Sequence, residues 1–201
     1  KIPNEDVTYQ AQWRKNSYLV QFVSEGTVLK EYTLSYGDAI PAQEKPTREG
    51  YTFVSWDKNV PDTVSDENVK KGKLVFKAVW KEIAYTISYN LAGGSLPTGK
   101  TNPTTFTINS KPMDLVQPKR EGYTFEGWSG TDIKEKDTQV TITARPLKDR
   151  TYTANWKENS YTIVFNVEGE VTRGEMKNIP LRYTQETTIP KNGYVCGGYK
   201  F

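Results

Sequence analysis

Gly94-Ser-Leu-Pro-Thr-Gly99-Lys100-Thr101 spells the Gly-x4-Gly-Lys-Ser/Thr phosphate loop, in which backbone N–H groups cradle phosphates and the lysine reaches their charge. That chemistry needs a helix after the loop, because aligned donors at a helix N-terminus hold the anion. Here the segment follows an amphipathic strand pattern and runs into Asn102-Pro103, so its context argues against phosphate binding. The acidic run Asp62-Thr-Val-Ser-Asp66-Glu67 and the cluster Asp132, Glu135 and Asp137 offer oxygen ligands of the kind calcium takes. Neither has the alternating ligands and central glycine of a calcium loop, and both are expected to be solvated loops. Cys196 is the single cysteine and histidine is absent. An intramolecular disulfide, His/Cys zinc sites and His-based triads are thereby excluded. Serines abound, but no lysine is marked out as a partner for one. No residue is nominated as catalytic, metal-ligating or cofactor-binding, and an enzyme is not expected.

Composition narrows the class further. Hydrophobic residues are 35% of the 201, charged residues 25% and aromatics 12%, too polar for a membrane span and too aromatic for disorder. No stretch approaches the roughly 18 apolar residues of a membrane helix, so membrane insertion is not expected. Net charge is +3, with both signs interspersed, which reads as a mixed surface rather than a nucleic-acid patch.

The elements that must position these residues are repeated. Glu-Gly-Tyr-Thr-Phe stands at Glu49–Phe53 and Glu121–Phe125, with a worn copy at Asn192-Gly-Tyr-Val-Cys196. A closing strand appears as Val7–Trp13, Leu74–Trp80 and Arg150–Trp156, and an opening strand as Tyr18–Phe22, Tyr85–Tyr89 and Tyr161–Phe165. Gly50 to Gly122 spans 72 residues and Gly122 to Gly193 spans 71, so the chain is an array of units of about 70 residues. It opens inside a repeat, which predicts a piece of a longer array. Extra length falls after the opening strand, at Leu91–Gly99, where a surface loop tolerates it.

The period along these segments is 2. Val7, Tyr9, Ala11 and Trp13 share one face, as do Leu74, Phe76, Ala78 and Trp80, then Tyr152, Ala154 and Trp156. Such alternation, rich in β-branched and aromatic residues, predicts strands with one buried face. Further strands are expected at Thr27–Leu34, Thr104–Asn109 and Ile179–Thr184, in the Gly-Tyr-Thr-Phe-x-x-Trp segments, and at Val140–Thr143. Prolines within Asp38–Pro46 and Lys111–Pro118 disfavour a long helix and leave room for one short turn. The twice-written Pro-x-Arg-Glu-Gly-Tyr reads as turn chemistry. Small residues at Ser55, Gly127 and Gly198 suggest that an aromatic packs across that spot. Cys196 takes the place of Phe53 and Phe125 and is expected to face inward as a small buried hydrophobe. Units this small bury only about 60% of their unfolded surface, so most aromatics are needed by the core rather than by a ligand.

Tyr85-Thr-Ile-Ser-Tyr-Asn-Leu-Ala-Gly-Gly94, Glu121-Gly-Tyr-Thr-Phe-Glu-Gly-Trp128 and Thr151-Tyr-Thr-Ala-Asn-Trp-Lys157, in that order and spacing, resemble the Listeria–Bacteroides repeat family, which includes internalin B-repeats. The resemblance covers essentially the whole chain. It implies a mainly β, β-grasp-like unit similar to ubiquitin or SUMO, repeated in an elongated array, and a place in secreted or wall-anchored bacterial surface proteins. It carries no catalytic residues. Residues 16–82 depart from it in lacking the Asn-x-x-Gly-Gly turn, and residues 159–201 in carrying Cys196 and Tyr199 where Phe and Trp are expected.

Four organisational segments follow: 1–15, the closing strand of a preceding repeat; 16–82 and 83–158, two complete repeats; and 159–201, the first part of a divergent repeat. Four residues separate each closing Trp from the next opening Tyr. Short constant joints favour a semi-rigid rod. The expected function is a non-catalytic stalk or spacer at the bacterial cell surface or wall, with neighbouring repeats as partners. The alternative is a module that recognises a host protein or glycan through the loops near 91–103 and 166–178. A closing strand without its unit and a unit without its closing strand also suggest self-association, residues 6–13 of one molecule pairing with residues 160–201 of another.

Overall fold

Strands whose side chains alternate can be placed only where one face finds a core, and the two complete repeats satisfy this in the same way. The computed structural model describes residues 6–69, 72–169 and 171–200. It divides into two compact units, Lys1–Ile83 and Ala84–Phe201. No helix occurs among the described residues.

In the first unit, β1 (Ser17–Ser24), β2 (Thr27–Ser35), β3 (Tyr51–Trp56) and β4 (Lys73–Glu82) form one sheet in the order β2-β1-β4-β3. The opening strand β1 and the closing strand β4 run parallel in the centre, with Val20 opposite Leu74 and Phe22 opposite Phe76. The outer pairings are antiparallel. Only the central strands have both edges paired, and they supply most of the core: Tyr18, Val20, Phe22, Leu74 and Phe76 are buried. The Phe22 and Phe76 rings stack at 4.9 Å between centroids.

The second unit repeats the order with one strand more. β5 (Tyr85–Asn90), β6 (Thr105–Phe106), β8 (Tyr123–Gly130), β9 (Ile133–Asp137) and β11 (Arg150–Glu158) lie as β6-β5-β11-β8-β9. β5 and β11 are again the parallel pair, with Tyr89 opposite Tyr152. Ile87, Phe106, Trp128, Tyr152 and Ala154 are buried in its core.

The proline-rich segments between the second and third strands are extended straps. β7 (Met113–Asp114) pairs with β10 (Thr141–Ile142), so the strand expected at Val140–Thr143 is real but shorter. A single bridge, Ala39 to Thr63, does the same in the first unit. Each strap sets one aliphatic side chain onto the sheet, Ile40 or Leu115, beside Val64 or Ile142. Backbone bonds repeat too: Ile40 N–H donates to Asp62 and Leu115 N–H to Val140.

Three expectations are corrected. Residues 7–13 form no strand, and Tyr9 and Trp13 are 87% and 94% exposed. The sequence has the closing-strand pattern, but in the complete repeats that strand is held between an opening strand and a Gly-Tyr strand, and no such pair flanks residues 7–13 among the described residues. For the same reason Asn192–Cys196 forms no strand: its segment has only a bridge from Val195 to Arg173. At Gly127 the crowding neighbour is backbone rather than an aromatic ring. A Cβ there would lie 2.8 Å from the Asp137 backbone of β9.

Beyond the second complete repeat, β12 (Ser160–Ile163) pairs with β13 (Ile179–Arg182). Tyr161 faces Leu181, as Tyr18 faces Leu34 and Tyr85 faces Phe106.

Candidate functional site

The conserved-looking words of the repeat converge on one place, the turn after the opening strand. Arg48 and Arg120 occupy the same position of Pro-x-Arg-Glu-Gly-Tyr. Their guanidinium carbons stand 3.8 Å and 3.7 Å from the ring centres of Tyr51 and Tyr123, within the range where a cation is held by a ring face. Each then reaches the turn: Arg48 Nη1 donates to Glu25 Oε1 at 2.9 Å, and Arg120 Nη1 to the Ala92 carbonyl at 3.0 Å. The closing tryptophans add a second tether. Trp80 Nε1 donates to Ser24 Oγ and Trp156 Nε1 to the Leu91 carbonyl, both at 3.0 Å. The Arg had been legible only as part of a turn; its reach across to the opening loop is a tertiary fact.

What the clamp holds differs between units. In the first it is Glu25-Gly26, both with positive φ (48° and 82°), a two-residue hairpin loop whose twist suits its flanking strands. In the second it is the long loop 91–103. Ala92 and Gly93 turn with φ of 48° and 84°, and Gly94 lies so close to Trp156 that a Cβ would sit 2.4 Å from its Cζ2. Ser95 and Lys119 exchange backbone bonds at 2.9 and 2.8 Å. Asn102 Oδ1 accepts from Val116 N–H, and the Tyr89 phenol donates to Pro103. Burial pushes that phenol well above its ordinary pKa, keeping it a donor. The phosphate-loop lookalike therefore uses the amides of Gly94 and Lys100 inside its own turns and that of Ser95 on Lys119, and leads into an extended strand.

Three of the six acidic candidates, Asp66, Asp132 and Asp137, are engaged within the fold. Asp66 accepts from the Tyr18 phenol, a bond that raises the phenol's pKa. Asp132 pairs with Lys148 at 3.0 Å, and Asp137 accepts from Gln139 N–H. Glu126 pairs with Lys136 at 2.7 Å, which holds its carboxyl below the ordinary value. Arg150 was not singled out by sequence. It is 4% exposed, lies over the Phe106 ring and donates from Nη2 to the carbonyls of Thr143 and Pro146. The signal was there in the alignment of repeats: Arg150 stands where the first unit has Leu74.

A second structured place is the joint. Ile83 N–H donates to the Gly50 carbonyl and Asn159 N–H to the Gly122 carbonyl, each at 2.9 Å. After the second joint the contact widens. The Tyr183 ring covers Gly122 so closely that a Cβ would lie 2.0 Å from its Cγ, and it meets Tyr123 edge-on at 6.0 Å. Glu158 accepts from the Thr184 hydroxyl and, at 3.0 Å, from its N–H; these bonds lower the Glu158 pKa. The charge of Glu121 raises the pKa of Tyr183.

The third place is an open concavity of about 1280 Å³ bordered by residues of 164–169 and 189–200. Cys196 lines it and is half-buried, less enclosed than its inward-facing position led one to expect.

Comparison with known proteins gives these features a lineage. A protein of Evansella cellulosilytica whose name describes a Gly-rich membrane protein is 28% identical over 204 residues, covering 99% of this chain and 23% of its own length. A second membrane protein named from that organism is 24% identical, covering 97% of this chain and 30% of its own. Internalin H of Listeria monocytogenes is 29% identical over 102 residues, 50% of this chain and 18% of its own length. The chain thus spans less than a third of each of these relatives. No solved structure matches. The Listeria-Bacteroides repeat domain matches residues 18–78 and 85–155, the two segments that carry the clamping arginines and most of the parallel central strands, and the chain belongs to that repeat family.

Proposed function

We propose that this chain is a non-catalytic spacer in the extracellular part of a bacterial surface or wall-associated protein, built from β-grasp-like repeats that project another region. The joint carries the reading. At both joints the residue three positions after the closing Trp bonds back to the Gly of the Gly-Tyr turn, which leaves a single residue between that tether and the next opening Tyr. The names of the relatives, Internalin H and two membrane proteins, support the location. No described helix is long and apolar enough to cross a membrane. A central parallel pair flanked by antiparallel strands supports the β-grasp-like description.

Small-angle scattering on the chain tests the role. A rod-like distance distribution, unchanged in salt, is expected; a distribution as broad as that of freely jointed units would overturn it. One observation favours a second reading, recognition of a host protein or glycan. Loop 91–103 is held in one shape by the clamp, and a pre-organised loop binds at lower entropic cost. Saturable binding of the chain on protein or glycan arrays, lost when residues 95–100 are exchanged, is what that reading requires.

A further inference from the structure

Core and strap lie on one face of the sheet in each complete repeat, and the opposite face tells the two units apart. In the first unit Val20, Phe22, Leu74 and Phe76 point into the core, so Leu19, Gln21 and Val23 of β1 point outward. The outward side of β4 alternates Lys73, Val75, Lys77, Val79 and Lys81. Val54, the extra residue of the β3 bulge, sits with Ser55 opposite Val79. Aligned on the opening Tyr and the closing Trp, the second unit has Thr86 and Asn90 for Leu19 and Val23, and Thr151 and Asn155 for Val75 and Val79. It has Glu126 for Val54 and Thr153 for Lys77. All five aliphatic positions of this face are thus polar in the second unit. Both repeats are complete and share the parallel central pair, so the fold they have in common does not account for the difference.

Surface valines scattered singly need no explanation. These are contiguous on three neighbouring strands, Val54 and Val79 being 57% and 39% exposed, and they are interleaved with one sign of charge along β4. The carboxylates beside them are occupied: Glu31 accepts from Gln21 Nε2, and Asp57 from the Lys77 N–H. Among the described residues none of Lys73, Lys77 and Lys81 is in an ion pair. We propose that the outward face of the first sheet docks an acidic segment of another protein, in which aliphatic side chains alternate with carboxylates.

Charge and shape select that occupant. Four strand residues separate successive lysines, about 14 Å, with a valine between; an extended segment carrying a carboxylate at every fourth residue and an aliphatic side chain between them matches both. The short valines lie beneath the reach of the lysine heads, so a partner must bring its own aliphatic side chains down to them. A bilayer is met instead by protruding Trp, Phe or Leu. No aromatic ring stands at an outward position of this sheet, which leaves no stacking platform for a glycan. A second copy presents the same lysines and is repelled. The face, not the edge of β3, is the docking surface. In the second unit β9 lies along β8 at an approach that only Gly127 permits; Ser55 holds that place in the first unit, and its Cβ bars an equally close strand. Four strands about 4.8 Å apart and five residues long give a patch roughly 20 Å on a side, the size of a weak, transient interface. It lies in the first unit, apart from loop 91–103 of the second.

NMR titration of the chain with a synthetic peptide of repeated Glu-Thr-Val-Thr tests this. Saturable amide shifts are expected at Leu19, Val23, Val54, Val75 and Val79, while Thr86–Asn90 and Thr151–Asn155 serve as the internal control and stay in place. Lys77→Thr and Val79→Asn install the second unit's residues at exposed positions, so the first unit should melt nearly unchanged while each weakens binding ~3-fold or more. Binding should also weaken at roughly 1 M salt, where charges are screened within about 3 Å. Absence of saturable shifts, equal binding of a Glu-Thr-Ser-Thr peptide (a mere polyanion effect), equal shifts in the second unit, binding to phosphatidylglycerol vesicles but not to the peptide, or unaltered affinity of both variants would each overturn the proposal.

Discussion

Gly122→Ala tests whether the joint is a packed structure or merely a short linker. Gly122 has φ +73°, and a Cβ there would lie 2.0 Å from Tyr183 Cγ. Two costs follow. The left-handed backbone penalises alanine by about 1–2 kcal/mol. The ring must also leave, because side chain and Cβ cannot share that space. Tyr183 is 43% exposed, so roughly half of a tyrosine's surface is buried, on the order of 100 Å², worth about 2–3 kcal/mol at 25 cal/mol per Å² as an upper bound. Gly26→Ala is the control. Its φ is +82° and nothing lies within 4 Å of its Cβ position, so it carries the backbone cost alone. Hydrogen exchange resolves the two. Gly122→Ala should deprotect the amide of Tyr183, which bonds Asn159, and loosen residues 179–184 while the core strands of 85–158 stay protected. Gly26→Ala should affect only its own hairpin. If Gly122→Ala costs no more than Gly26→Ala and leaves residues 179–184 protected, the joint is not held by this contact and the spacer argument loses its support.

Three further outcomes are expected. Trp128 is fully buried, yet its Nε1 has no hydrogen-bond partner among the described residues; Trp128→Ala should cost about 3–5 kcal/mol, while Trp128→Phe should cost far less in urea unfolding, because it also removes an unsatisfied donor worth about 1–3 kcal/mol. Arg48→Ala should destabilise the first unit by about 0.5–1.5 kcal/mol, a loss that shrinks in high salt because its partner Glu25 is exposed; Arg120→Ala, whose partner is a carbonyl, should show little salt dependence in the same melts. Glu158 has a folded pKa below the ordinary 4.5 because Thr184 donates to its carboxylate, so its contribution is present above 4.5 and is lost as pH falls through the folded value; the Thr184 amide shift should titrate there by NMR, and E158Q should abolish that titration.

Much of the scaffold was legible because strand alternation is a local signal. Tyr18–Phe22, Leu74–Trp80, Tyr85–Tyr89 and Arg150–Trp156 bury the faces their pattern indicates. Where alternation was weak, reading failed. β9 is Ile-Lys-Glu-Lys-Asp, with one apolar residue, and exists because its backbone pairs with β8. The straps at Ile40 and Leu115 are held by two or three backbone bonds and one buried side chain each, too little pattern to announce itself. The clamp was half-legible: Arg48 and Arg120 were repeated, but only the fold showed that each ties a different loop.

By itself the amino-acid sequence determined the repeat, its unit length, the strand faces and the constant spacing from each closing Trp to the next opening Tyr. These depend on residue type and on spacing along one segment. The tertiary structure decided which strands exist and what their edges meet. Val7–Trp13 and Leu74–Trp80 carry the same alternation, yet only the second is a strand, because a ladder needs backbone partners that lie far away in the chain or in another molecule. Pairing is non-local, and the same seven-residue pattern is a central strand where two edges await it and an exposed segment where none does.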